Sequence, residues 1–306
     1  MRGVRTDLAM ECVGEDSKRM DGVNVQTELR DGVRCTRIRI ETQRAADLLG
    51  KRMGNYVTLE YGDLPKCEPQ KQQQIARLVC QSVFDMLPEN GEILVVGLGN
   101  RNVTADALGT RVVERMLVTR HLRQTMCDSV QRKLRGVSAI APGVLGLTGI
   151  ETAELCRGLV QHVQPSAVIA IDALAAFESE RICTTIQITD TGIDPGSGVG
   201  NHRLGLNEET LRVPVIAVGV PMVVYASTIA RDAMAHLLDE YHLSEHREAS
   251  DALLHQVSDG VLGDMVVTPR EIDELVLSIA EVISSGLNQA LHPAMDSDSL
   301  HIFMHQ

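Results

Sequence analysis

The sequence predicts an α/β fold with a largely parallel central sheet flanked by helices, and three observations carry that expectation. Ile93-Leu94-Val95-Val96 is a short apolar run halted by Gly97-Leu98-Gly99, the pattern of a fully buried strand. Ser166 to Ala173 (SAVIAIDA) and Pro214 to Val220 repeat that character further along the chain. Segments with helical periodicity fill the intervals, and strands alternating with helices build a parallel sheet.

Taken in order, residues 1–35 are mixed and charged, with Gly14, Gly22 and Gly32 as punctuation. Arg34 to Glu41 (RCTRIRIE) alternates apolar and charged residues, which predicts a strand with one wet face at a sheet edge. Tyr56 to Tyr61 (YVTLEY) is a second alternating strand. Gln70 to Met86 reads as a helix, with Ile75, Leu78, Val79, Val83 and Met86 at helical spacing and Pro88 beyond it. After the strand at 93, Thr104 is placed to cap a helix over Ala105 to His121. That would set Asp106 in the first turn, where a carboxylate suits the unpaired N–H groups. Val137 to Ile140 is a short strand, and a helix over Ile150 to Val163 feeds the strand that ends at Asp172. Thr184 to Thr189 (TTIQIT) is a strand followed by the glycine-rich loop DTGIDPGSGVGNH. Long helices are predicted at Met222 to His242 and Pro269 to Gly286. No internal repeat or composition break divides the 306 residues.

Composition narrows the function. Hydrophobic content of 44% with 23% charged residues is that of a soluble globular protein, but aromatics make up 2% and Trp is missing, so the core is aliphatic. Aromatic stacking platforms for single strands are excluded, and a net charge of −12 disfavours direct nucleic-acid binding. Seven cysteines stand singly with no C-x-x-C, which fits reduced thiols in a cytoplasm rather than a disulfide framework or zinc site. No signal core or 18-residue apolar run occurs, so no membrane partner is expected.

Two acids at strand ends are the candidate catalytic groups. Asp106 follows the first buried strand and Asp172 closes the second; open α/β sheets place their chemistry at such carboxyl ends. Singly, each Asp reads as a cap. Together they form a candidate dyad, in which one carboxyl keeps a proton while the other takes one from water, the chemistry of peptide hydrolysis. Gly97-Leu98-Gly99 lacks the rest of a dinucleotide fingerprint: position 102 is Asn, and no acid stands about 20 residues on. Asp190-Thr191-Gly192 matches the D-T-G triplet of pepsin-like proteases, but a single copy in an α/β pattern reads as a turn, with Asp190 and Gly192 able to line the same cleft. The loop beyond, with Gly196, Gly198, Gly200 and Asn201, is a candidate substrate-gripping or phosphate-cradling segment. No H-E-x-x-H or G-x-S-x-G motif supports a zinc or serine hydrolase, and no cofactor or metal is expected.

The chain resembles the germination protease (spore protease) family. The likeness rests on VRTDLAME at 4–11, VVGLGNRNVTADALG at 95–109, SAIAPGVLGLTGIET at 138–152, AVIAIDALAA at 167–176 and TTIQITDTGIDPGSGVGNHR at 184–203. It continues in VPVIAVGVP at 213–221 and in VTPREIDEL and LNQALHP near the carboxyl end. The resemblance implies an atypical aspartic endopeptidase with Asp106 and Asp172 as its catalytic pair and a fold similar to hydrogenase-maturation endopeptidases. It also implies a homotetramer in the spore core, small acid-soluble spore proteins as substrates, and a zymogen that removes its own propeptide. The matching bond is Asp7–Leu8, so residues 1–7 would leave and 8–306 would form one peptidase domain. Two alternatives are a metal-assisted maturation endopeptidase of related fold and a non-catalytic binding protein on the same fold. The chain departs from the family pattern at Ala105 and Thr110, where prolines are usual, and at Phe177, where a basic residue is usual.

Overall fold

A mixed sheet organises the chain in the computed structural model, which describes residues 6–13, 20–124, 134–194, 204–242, 262 and 265–295. Its strands are β1 (Val23–Arg30), β2 (Val33–Ile40), β3 (Gly54–Glu60), β4 (Ile93–Gly97), β5 (Val137–Ile140), β6 (Ala167–Ala176), β7 (Thr185–Thr189), β8 (Val215–Tyr225) and β9 (Val266–Val267). The order is β1-β2-β3-β7-β8-β6-β4-β5, with β9 pairing β8. The expected parallel sheet is the side formed by β8, β6, β4 and β5. The side formed by β1, β2, β3 and β7 is antiparallel, and β7 joins β8 antiparallel as well.

The main helices are α1 (Ala9–Cys12), α2 (Gln43–Leu49), α3 (Pro69–Phe84), α4 (Leu108–Val113), α5 (Thr152–Val163), α6 (Ala226–Glu240) and α7 (Ile272–Leu291). Alternation along each strand sends neighbouring side chains to opposite faces. Ile169 and Ile171 of β6 join Ile186 and Ile188 of β7 under α3, α4 and α7, in the main core. Val168 and Ala170 face the other way, onto Ala153, Cys156 and Val160 of α5. On that second face, α1 and α2 cover Ile38, Ile40 and Tyr56 of β2 and β3. Between the α2 side and the α5 side the second face is left uncovered by any long helix among the described residues.

Four expectations are corrected. Arg34–Glu41 lies in β2, which is interior; the edge is β1, a strand exposed over most of its length that sends Val23 and Val25 toward the α1–α2 cluster. Thr104 caps nothing: Thr104–Asp106 is a 3-10 turn, and the helix predicted over 105–121 shrinks to α4. The reason lies beyond α4. Leu117 N–H donates to Asn288 Oδ1 (2.9 Å), Asn288 Nδ2 donates to Arg115 O (3.0 Å), and Thr119 N–H donates to Val137 O (3.0 Å), which draws the chain out of helical form. Met222 belongs to β8, because pairing with β6 and β9 extends that strand and delays α6 to Ala226. Gly286 does not end the last helix; it lies against Ala76 and Val79 of α3, where the two helices approach closely.

Candidate active site

The two strand-end acids are brought to one edge of the parallel sheet. β4 stops at Gly97, which pairs with Ile171, whereas β6 runs on to Ala176. Asp172 is therefore not the last residue of its strand; it is the first to stand past the end of β4. Leu98 N–H still donates to Ile171 O (2.8 Å), and this bond fastens the start of the β4 loop beside Asp172. Gly109 is pressed against Ile171 O and the Leu98 backbone, where a Cβ would clash with main chain. Gly99 has φ +98°, and a Cβ there would strike the backbone of Asp106. Both glycines are thus required for the loop to fold back upon the strand it left.

The loop is closed by the acid itself. Asp106 Oδ2 accepts from Asn100 N–H (2.8 Å), and Asn100 Oδ1 accepts from Asn102 N–H (3.0 Å). Asp172 is 5% exposed, and its Oδ1 accepts from Ala173 N–H (2.9 Å). Asp106 is half-buried. Thr110 is buried beneath the loop, and its hydroxyl donates to Ala107 O (2.8 Å).

Asp172 also belongs to a row that crosses the sheet. It pairs with Gly219 of β8, Gly219 with Gln187 of β7, and Gln187 with Thr58 of β3. In-register partners share a face, so Gln187 and Asp172 look out on the same side, two strand spacings or roughly 9–10 Å apart. Leu174 lies over the bare Cα of Gly219 between them. A cleft of about 680 Å³ opens on this face, lined by Lys51, Gln187, Thr189, Gly192, Gly219 and Leu174 among others.

The amino-terminal segment occupies one end of that cleft. Asp7 N–H donates to Ala175 O (3.0 Å) and Ala175 N–H to Asp7 Oδ2 (2.8 Å), three residues past Asp172 on β6. Leu8 is fully buried with Leu174, Ala176 and Val224. Glu11 accepts from Phe177 N–H and Glu178 N–H (both 2.9 Å) and pairs with Arg181 (3.3 Å), which also binds Glu60 and Glu178. Burial raises the Glu11 carboxyl pKa above its ordinary value, against the opposing pull of these donors and Arg181. Phe177 is stacked under Arg231, whose guanidinium lies 3.4 Å from the ring centroid.

Gly192 lines the cleft, whereas Asp190 turns to Asn55, accepting from its N–H (2.8 Å) and its side-chain amide (2.6 Å). Gly196, Gly198, Gly200 and Asn201 lie outside the described residues. Sequence reasoning missed Gln187, Lys51 and Arg181. For Gln187 a signal existed: T-I-Q-I-T alternates, which puts Thr185, Gln187 and Thr189 on the face opposite the apolar core. Among the described residues no three His, Cys, Asp or Glu converge as a metal site, and no helix is long and apolar enough to cross a membrane.

Comparison with known proteins agrees with the resemblance in the sequence. The family model described as germination protease matches residues 4–255 and 242–304. A germination protease of Caldanaerobacter subterraneus subsp. tengcongensis is 42% identical over 99% of this chain and 98% of its own. One from Clostridium perfringens is 40% identical over 99% of this chain and 100% of its own. One from Bacillus cereus is 40% identical over 99% and 97%, respectively. Among solved structures, the [NiFe] hydrogenase maturation protease HycI of Thermococcus kodakarensis aligns with 67% of this chain and 97% of its own, at 17% identity and a TM-score of 0.33. With relatives matched over essentially the whole length, the chain belongs to the germination protease family.

Proposed function

We propose that this protein is an endopeptidase of spore germination in which Asp106 and Asp172 are the catalytic pair. The observation that carries this reading is the meeting of the loop after β4 with strand β6 at one sheet edge, where Leu98 N–H bonds Ile171 O and Gly109 packs on the same carbonyl. One carboxylate takes a proton from water as the water oxygen attacks the peptide carbonyl carbon. The other, protonated, gives its proton to the developing oxyanion, and the C–N bond breaks with proton return to the leaving amine. The substrates are small acid-soluble spore proteins, extended chains that enter the uncovered face beside Asp172, with Gly192 in the far wall. The protein is a self-processing zymogen that loses residues 1–7 by cutting Asp7–Leu8, works in the spore core, and assembles as a homotetramer, as the family resemblance implies.

Purified Asp106→Asn and Asp172→Asn chains, assayed on a small acid-soluble spore protein, should each lose about 10²–10⁴-fold in kcat/KM. Full activity in either variant would overturn the assignment. Amino-terminal sequencing of the processed chain should begin at Leu8, and an intact Met1 after activation would overturn the propeptide.

A further inference from the structure

The bond expected to be cut is gripped by a side chain that none of the motifs singles out. Gln187 Nε2 donates to Asp7 O (3.1 Å), and Gln187 Oε1 accepts from Ala9 N–H (2.7 Å). The amide orientation is set by its partners, because the reverse would oppose two donors and two acceptors. Lys51 Nζ donates to the same Asp7 carbonyl (3.0 Å) and to Thr6 O (3.1 Å). The Asp7–Leu8 peptide bond is thus bracketed by one buried side chain that touches the backbone on both sides of it.

We infer that Gln187, assisted by Lys51, is the positioning residue that sets the register of the peptide to be cut, both in the chain's own amino-terminal segment and in external polypeptides. The inference rests on the proposed cleavage of Asp7–Leu8. Gln187 reads backbone atoms, so any extended chain can make the same two bonds. The contacts to side chains lie on either side of the bracket: Ala175 N–H holds the Asp7 carboxylate, and Phe177 N–H, Glu178 N–H and Arg181 hold Glu11. Leu8 fills the apolar recess between them. Gln187 stands in the same cross-sheet row as Asp172 and looks out on the same face, so a chain held there lies on the Asp172 side of the sheet, two strands from that carboxylate. Cutting Asp7–Leu8 also releases the site. Every bond made by Thr6 and Asp7 leaves with residues 1–7, and the remaining stub keeps the contacts of Leu8, Ala9, Met10, Glu11 and Val13. An intact polypeptide offers both sides of the bracket and displaces the stub.

The test is a cycle between enzyme and substrate, using the processed full-length chain and a synthetic peptide spanning residues 2–13, with and without N-methylation of the alanine equivalent to Ala9. In the unaltered enzyme, N-methylation should lower kcat/KM by about fivefold to tenfold, the worth of one hydrogen bond. Gln187→Met should lose about as much on the plain peptide and show little further loss on the methylated one. Gln187→Glu keeps the acceptor and should still sense the methyl group. Equal methylation penalties in the unaltered enzyme and Gln187→Met would overturn the inference while leaving the catalytic pair intact. So would faster cleavage by Gln187→Met, which would make the strip an inhibitory resting place. Failure of the unaltered enzyme to cut the peptide after Asp would overturn the propeptide reading together with the inference. If Gln187→Met does not fold, Lys51→Met carries the same test through the Asp7 carbonyl. It should lower kcat/KM on the peptide and add minor products cut at neighbouring bonds; unchanged rate and product masses would overturn the inference.

Discussion

On the parallel side of the sheet, β4 stops at Gly97 while β6 continues to Ala176; on the antiparallel side, β3 and β7 stay level through five consecutive pairs. The uneven edge frees backbone groups at the strand ends, and these groups fix acids. Asn100 N–H holds Asp106 and Ala173 N–H holds Asp172, by contacts between residues close in sequence. The level half has no free ends at that height and offers a face instead. Gln187 and the neighbouring Lys51 reach from it to residues 6–9, more than 170 positions away in the case of Gln187. The difference separates two needs of a peptidase: reacting groups want strand ends, and holding an extended chain wants a broad floor with few, well-placed polar groups.

The largest effect that would sharpen this contrast is the loss expected from the two Asp→Asn changes, about 10²–10⁴-fold in rate with melting temperature nearly kept. A variant that lost folding instead would move Asp106 or Asp172 from chemistry to scaffold. Next comes His292, fully buried beneath the parallel half, whose pKa is lowered to about 4 by burial, with Arg135 adding repulsion against the Leu117 carbonyl. Its folded pKa lies below the ordinary 6.5, so the folded state binds fewer protons. The stability it contributes is present above about pH 6.5 and is lost as pH falls toward 4, roughly 3 kcal/mol in all. Chemical denaturation from pH 7 to 4 should show that decline, and His292→Gln should flatten it; parallel curves would break the assignment.

Gly109→Ala should cost about 1–3 kcal/mol, because the added methyl meets the Ile171 carbonyl and the Leu98 backbone, neither of which can swing away. Activity should fall further than stability, since Leu98 and Asp106 move together; a silent Gly109→Ala would show that the loop has slack. The smallest effect belongs to Glu11 on the other side. Its carboxyl pKa is raised by burial, so its ionised form opposes docking, and the docked state is favoured below that pKa and weakened as pH rises through it. Glu11→Gln should therefore be the more stable chain near pH 7 and converge with the parent near pH 4, by under about 1 kcal/mol on the scale of a single hydrogen bond. Melting curves at the two pH values decide it, and a gap that widens toward acid would reverse the sign.

The parallel half was legible in the sequence because its signals are local. Val95 and Val96 are apolar on both sides, the glycines at 97 and 99 end the strand, and Asp106 and Asp172 follow buried runs. Helix lengths near the site were misjudged because their limits are set from a distance: α4 ends early where Asn288 captures Leu117 and Arg115. β1 escaped notice because its period-2 apolar signal is short: Val23 and Val25 face the α1–α2 cluster, but Thr27 interrupts the alternation and Leu29 is exposed. Gln187 was visible as a strand residue but not as a grip, since its partners are Asp7 and Ala9 at the other end of the chain.

Phe177 donates its N–H to Glu11 and lies under Arg231, in a chain with no tryptophan at all. The protein's intrinsic emission accordingly comes from its four tyrosines, and a single indole introduced by Phe177→Trp would be its only long-wavelength emitter, excitable apart from them. That indole would sit at the joint between β6 and the docked amino terminus, quenched or brightened by the nearby guanidinium and carboxylate. Arrival and departure of residues 6–13 could then be timed optically, turn by turn, alongside cleavage.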